Sequence, residues 1–166
     1  IKDFEIPDEL LVAKAKSARM VSPSRKTVDI PIDNGFVGMV DRAQFDEWLR
    51  KRAVAAGAIR EDGLFENLTR EGPLARIHYR TRGARDGDSG AIKSVLTRAV
   101  IGADGAKSQV GRSAGVKGCA EANYVFAYHE IIKTPPNTPH HFDSTRCDVV
   151  YQKPISPDFY GWVFPH

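Results

Sequence analysis

The stretch Val100-Ile101-Gly102-Ala103-Asp104-Gly105-Ala106-Lys107-Ser108 constrains this chain more than any other. It passes from apolar residues into a Gly-Asp-Gly turn and then into a polar start, Ser108-Gln109-Val110-Gly111-Arg112. Glycines let a backbone approach a ligand closely, and an Asp in such a turn binds a ribose or orders the loop. The sequence predicts a strand over Arg98–Ile101, a glycine turn, then a helix opening near Ser108, whose N-terminus favours phosphate. A bare Gly-Asp-Gly is only a tight turn, so its meaning depends on what surrounds it.

Upstream, Asp8 to Lys16 has acids first and lysines last, which predicts a short helix. Ala18–Val21 and Thr27–Ile32, joined by Ser22-Pro23-Ser24-Arg25, predict a hairpin, with Pro31 placing the second strand at an edge. Asp33-Asn34-Gly35 is a turn and Phe36–Val40 a short strand. A helix follows: Asp41 is its N-cap, Gln44 gives a capping-box-like start, Phe45, Trp48, Leu49 and Ala53 recur at helical spacing, and Gly57 stops it. Gly63–Leu68, Ala75–Thr81 and Ser94–Leu96 read as strands, with a polar, glycine-rich hairpin tip from Arg82 to Gly90. Tyr124–Ile132, rich in aromatic and β-branched residues, and Asp148–Tyr151 read as further strands.

Composition excludes several classes. The 166 residues are 42% hydrophobic and 27% charged, which fits a globular domain and not a disordered one. No window holds the roughly 18 apolar residues of a membrane span. The net charge of +3 is spread without basic blocks, so nucleic acid is not an expected partner. Cys119 and Cys147 form no Cys-x-x-Cys pair, and His140-His141 has no acid or Cys at ligand spacing, so no metal site is expected. The cysteine usage suits a reducing, cytoplasmic setting. Ser108 lies in no nucleophile elbow.

Three ordered motifs then carry a resemblance. Gly102-Ala103-Asp104-Gly105-Ala106-Lys107-Ser108-Gln109-Val110 resembles the Asp-Gly motif of FAD-dependent oxidoreductases with the p-hydroxybenzoate hydroxylase-like fold. That family commonly has Arg three residues after the Ser; here the position is Gly111, and Arg112 follows. Arg42-Ala43-Gln44-Phe45-Asp46-Glu47-Trp48-Leu49 is similar to the family's Arg-x-x-(Phe/Leu)-Asp-x-x-Leu helix. Tyr160-Gly161-Trp162-Val163-Phe164-Pro165 is similar to the Tyr-x-Trp-x-Phe-Pro motif of geranylgeranyl reductases, and the segments around Met20 and Tyr128 resemble the subgroup acting on chlorophyll or bacteriochlorophyll pigments.

The resemblance implies an α+β or α/β chain: the central fragment of such a flavoprotein, with an antiparallel substrate-binding sheet and part of the FAD-binding domain. The family's Gly-x-Gly-x-x-Gly segment is missing, and the chain starts without Met. The expected division is 1–40 for the start of the substrate sheet, 41–116 for the cofactor side, and 117–166 for the return to the sheet. FAD contacts are implied for Arg42, Gly102, Asp104, Gly105, Ser108 and Arg112. Tyr160, Trp162, Phe164, Pro165, Phe126 and Tyr128 are implied for the substrate, beside tunnel walls from Met20, Val28, Ile30 and Tyr151. The implied activity is NADPH-dependent saturation of a geranylgeranyl chain to phytyl, on a pigment or on geranylgeranyl diphosphate. The fragment alone is expected to be inactive. The family setting leaves room for peripheral association with the photosynthetic membrane. Two rival readings are a FAD-dependent aromatic monooxygenase, against which the aromatic hexapeptide argues, and a non-catalytic pigment- or isoprenoid-binding module. The residues single out no proton donor.

Overall fold

A computed structural model describes every residue except Ile1, 84–88, Ala120, Pro135, Thr138 and Pro139. The central part of the Arg82–Gly90 tip and much of the proline-rich loop therefore lie outside the described residues. In chain order the elements are β1 (Leu11–Ala15), β2 (Ser17–Val21), β3 (Thr27–Pro31), β4 (Val37–Val40), α1 (Arg42–Ala55), β5 (Gly63–Glu71), β6 (Leu74–Arg82), β7 (Ser89–Thr97), α2 (Gln109–Ser113), β8 (Arg146–Val150) and β9 (Gly161–Val163). They fall into two compact units, Ile1–Ala58 with Val125–His166, and Ile59–Tyr124.

In the first unit β1 pairs antiparallel with β4, Lys14 opposite Gly38 and Ala15 opposite Val37. This corrects the helix expected over Asp8–Lys16, of which only a 3-10 turn at Asp8–Leu10 forms. Leu11, Ala13 and Ala15 are more covered than Val12 and Lys14, a period of two, and pairing with β4 outweighs the weak helical propensity of the run. Ala15 is fully buried. The β2–β3 hairpin forms as expected, with Arg25 at φ 62° in its turn and Pro31 on an edge strand.

The main sheet has the order β3-β2-β8-β9. Its outer pairs are antiparallel, but β2 and β8 run parallel, Met20 opposite Val149 and Ala18 opposite Cys147, so the sheet is mixed where an antiparallel one was expected. Helix α1 starts where it should. Asp41 caps it by accepting the Ala43 N–H at 2.8 Å, and Gly57 follows its end at φ 99°.

Tyr124–Ile132, expected as a strand, takes no strand pairing. Its β-formers fit a pleated, half-covered surface, but the segment joins no strand among the described residues, and Phe126 is 87% exposed and Ile132 78%. His129 and Glu130 thus do not occupy opposite faces of a sheet. Glu130 accepts a hydrogen bond from Tyr128, which raises the Tyr128 pKa.

The second unit is an antiparallel meander, β5-β6-β7, with Gly72 at φ 61° between its first two strands. Arg76 clasps Glu71 and Arg80 clasps Glu66 across it. The short helix α2 is tied to β5 by the Leu68 N–H, which donates to Ser113 Oγ at 3.0 Å. Arg98–Ile101, expected as a strand, is irregular among the described residues. A strand is completed by its neighbour, and Ile101 instead lies 92% exposed.

The chain carries 13406 Å² of accessible surface. Two compact domains of these sizes would together carry roughly 10,000 Å². Apolar side chains of both units stay exposed, among them Val28 in the first and Leu64 in the second.

Candidate functional site

In the second unit, Asp104 organises the glycine turn. Its Oδ1 accepts the Ser108 hydroxyl at 2.5 Å, and its Oδ2 accepts the N–H of Gln109 at 2.6 Å and of Val110 at 3.1 Å. Ser108 Oγ in turn accepts the Gly111 N–H at 2.9 Å. These bonds, the one from Ser108 foremost, hold the Asp104 carboxyl below its ordinary pKa. They also correct the expectation of a phosphate at this helix end. The first three amides of α2 already have acceptors within the chain, and the negative charge favoured there is the carboxylate of Asp104 itself.

The two glycines serve different needs. A Cβ at Gly102 would lie 3.0 Å from Val110 Cβ, so its absence lets the turn close onto α2. Gly105 has open space but sits at φ 81°, where an L side chain is strained. Gly105→Ala in the full-length protein should lose about 1–2 kcal/mol in urea denaturation, because the left-handed backbone must be held by a residue with a Cβ. Unchanged stability would mean that the turn relaxes. Residues 103–106, all small except Asp104, are exposed. Arg112 lies in the last turn of α2, exposed and without an ion pair among the described residues. Lys107 stands 5.8 Å from the Tyr124 ring centroid.

Arg42 belongs to the first unit, as the opening residue of α1. Its Nε donates to Asp46 Oδ1 at 2.8 Å and its Nη2 to Asp46 Oδ2 at 3.0 Å. The pair raises the Arg42 pKa and lowers that of Asp46. The i,i+4 spacing puts the two side chains on one face of the helix, a pairing that was not picked out from sequence.

The residues present fit FAD in part. Within the first unit the Arg42 guanidinium has N–H donors that suit a phosphate; within the second, the first three amides of α2 are already bonded and have none left to offer.

The main sheet of the first unit supplies an apolar face. Residues paired in register share a face, so Val28, Met20, Val149 and Trp162 form one row across all four strands. Ile30, Ala18 and Cys147 form the next. Val28 is 61% exposed and Ile30 48%. Burial raises the Cys147 pKa. Tyr160 packs edge-on against Trp162 at 6.1 Å and Tyr151 at 5.8 Å, and stacks on Phe159 at 4.1 Å. Gly161 lies between them because an added Cβ would come within 2.6 Å of Ile155 Cγ2. Phe164 is partly exposed and Pro165 buried.

The opposite face is charged. Arg19 grips Asp29 at 2.6 and 2.7 Å, and Arg146 grips Asp148 at 2.6 and 3.1 Å. Phe126 and Tyr128 lie outside the sheet. Val149, Ala18 and Cys147 were not picked out from sequence, because their place on the apolar face follows from the β2–β8 pairing.

The two units, a mixed sheet and a meander with its glycine turn, make this a mixed α/β chain. Over 92% of its length it is similar to a flavoprotein/dehydrogenase from Cytophaga hutchinsonii, with a TM-score of 0.57 and 16% identity, and it covers 36% of that structure. At the level of sequence the chain is similar to geranylgeranyl diphosphate reductases. It is 54% identical over 166 residues to that of Rhodobacter capsulatus, covering all of this chain and 40% of the relative. It is 34% identical to the chloroplastic geranylgeranyl diphosphate reductase of Oryza sativa subsp. japonica, covering 99% of this chain and 36% of the relative. A digeranylgeranylglycerophospholipid reductase of Methanosarcina acetivorans is 31% identical over 99% of the chain and 39% of its own length. The chain thus spans about 40% of the Rhodobacter relative it matches. No protein-family model matches it. No helix among the described residues is long and apolar enough to cross a membrane.

Proposed function

We propose that the whole protein containing this chain is an NADPH-dependent flavoprotein reductase that saturates three double bonds of a geranylgeranyl chain to give phytyl. The acceptor is a chlorophyll-type pigment or geranylgeranyl diphosphate. The observation that carries this reading is the 54% identity, over the entire chain, to a protein named for that substrate. The sheet face supports it physically. A row of apolar side chains across four strands spans about 14 Å, three strand spacings, which offers a long hydrocarbon a surface without polar groups to desolvate.

In this reading FAD, when bound, supplies the hydride. In the first unit Arg42 is the residue for its diphosphate; in the second, the cofactor-side residues are those of the Asp104-ordered turn, Gly102, Gly105 and Ser108, with Arg112 close in sequence to it. Trp162, Tyr160 and Phe164 hold the prenyl chain, with the buried Pro165 completing the motif. Phe126 and Tyr128 join the substrate surface once their segment is covered. Such a substrate brings the protein to the surface of the photosynthetic membrane.

The purified full-length protein should show a flavin absorbance spectrum and oxidise NADPH only when a geranylgeranyl substrate is added, without consuming oxygen. A colourless protein that binds the pigment would instead make it a carrier, and substrate-linked oxygen consumption would make it a monooxygenase.

A further inference from the structure

The geometry points to Asp46 as the residue that positions Arg42 for the FAD diphosphate, an inference that rests on the reading of Arg42 given above. A guanidinium offers five N–H donors in a rigid plane. Asp46 takes the edge formed by Nε and Nη2, at 2.8 and 3.0 Å, which leaves the Nη1 edge turned away from the carboxylate. That remaining edge has the paired-donor geometry that suits two oxygens of a phosphate. The two partners are not equally covered: the Asp46 side chain is 28% exposed and that of Arg42 77%. The carboxylate is thus the seated member and the guanidinium the presented one.

The position itself asks for such a partner. Arg42 is the first residue of a 14-residue helix whose first turn contains no acid. A cation at the positive end of a helix is disfavoured, and residues that break a local rule of this kind concentrate at functional sites. Asp46, one turn further on, offsets that cost and reduces the many rotamers of a free Arg to one presented geometry. Less disorder is then lost when the diphosphate arrives. Among the described residues Asp46 is the charged group that acts on Arg42, whereas Asp46 is kept ionised first by its bond from Arg42 and also by Arg50 in the next turn.

The alternative is an ordinary surface pair that steadies the helix, and a double-mutant cycle separates the two. Full-length apoprotein is titrated with FAD, following the quenching of flavin fluorescence. Arg42→Ala should weaken FAD binding about tenfold, the loss of one charge-assisted contact, and Asp46→Ala about fivefold. Asp46→Glu should recover part of that loss. In the Arg42→Ala background, Asp46→Ala should cost nothing more, because the group it positions is gone. If Asp46→Ala weakens FAD equally in both backgrounds, the residue acts through helix stability and the inference fails. Unchanged or tighter binding in Asp46→Ala alone, with Arg42→Ala still weak, also overturns it. Unchanged binding in Arg42→Ala would remove the Arg42 reading, and the positioning role with it.

Discussion

Asp104→Ala is expected to leave the purified full-length protein with about a tenth or less of its bound FAD, the scale of change when a helix start loses its capping acceptor. One carboxylate serves three donors, the Ser108 hydroxyl and the amides of Gln109 and Val110. Alanine leaves all three to water or to one another, and it removes the negative charge that the end of α2 otherwise holds. Ser108 then loses the partner that orients its own bond to the Gly111 amide. The turn would lose the shape in which Gly102 packs on Val110, and the bare backbone at Gly105 would no longer face one way. Asp104→Asn tests the same point more finely. It keeps one acceptor oxygen and the side-chain volume, so it should retain more flavin than the alanine variant. Full flavin content in Asp104→Ala, with unchanged stability, would show that the carboxylate does not shape the site.

Trp162→Ala should lower kcat/KM on a geranylgeranyl substrate roughly 30- to 150-fold while leaving flavin content close to that of the unchanged protein. An indole contributes roughly 150–250 Å² of contact surface. Trp162 already spends part of its surface on Tyr160 and the sheet, so the share left for a ligand is worth about 2–3 kcal/mol at ~25 cal/mol per Å². It ends the row Val28–Met20–Val149–Trp162, and its removal opens the wall at the β9 side. Trp162→Phe restores much of the apolar area and should recover most of the activity. Shorter prenyl substrates that do not reach this end of the row should be less affected. Equal losses of flavin and activity would identify Trp162 as a packing residue of the sheet.

What was readable in advance was local. Asp41 and Gly57 mark the ends of α1 because cap and stop chemistry depend on neighbouring residues only. The β2–β3 hairpin, the β5–β7 meander and the opening of α2 at Ser108 follow from turn residues and short-range periodicity in the same way. What depended on distant partners was not readable. β1 looks helical until β4 pairs with it, and β2 joins β8 in parallel from the far end of the chain. Tyr124–Ile132 has strand composition without a strand beside it. The candidate site divides along the same line. Asp104, Ser108 and Arg42 lie in contiguous motifs. The rows through Val149 and Cys147 exist only once the register is known. The sequence motif also suggested a phosphate at the start of α2, and only the bonds of Asp104 and Ser108 to the first three amides show that place already filled.

The central claim is that the sheet face holds a prenyl chain for reduction at a flavin. The measurement that tests it most directly is mass spectrometry of a geranylgeranyl substrate after anaerobic incubation with the full-length protein, FAD and NADPH. The account predicts stepwise gains of two hydrogens per double bond, ending after three bonds. An unchanged substrate in the presence of flavin-loaded protein would contradict it, and so would a product that, once air is admitted, carries an added oxygen atom instead of hydrogen.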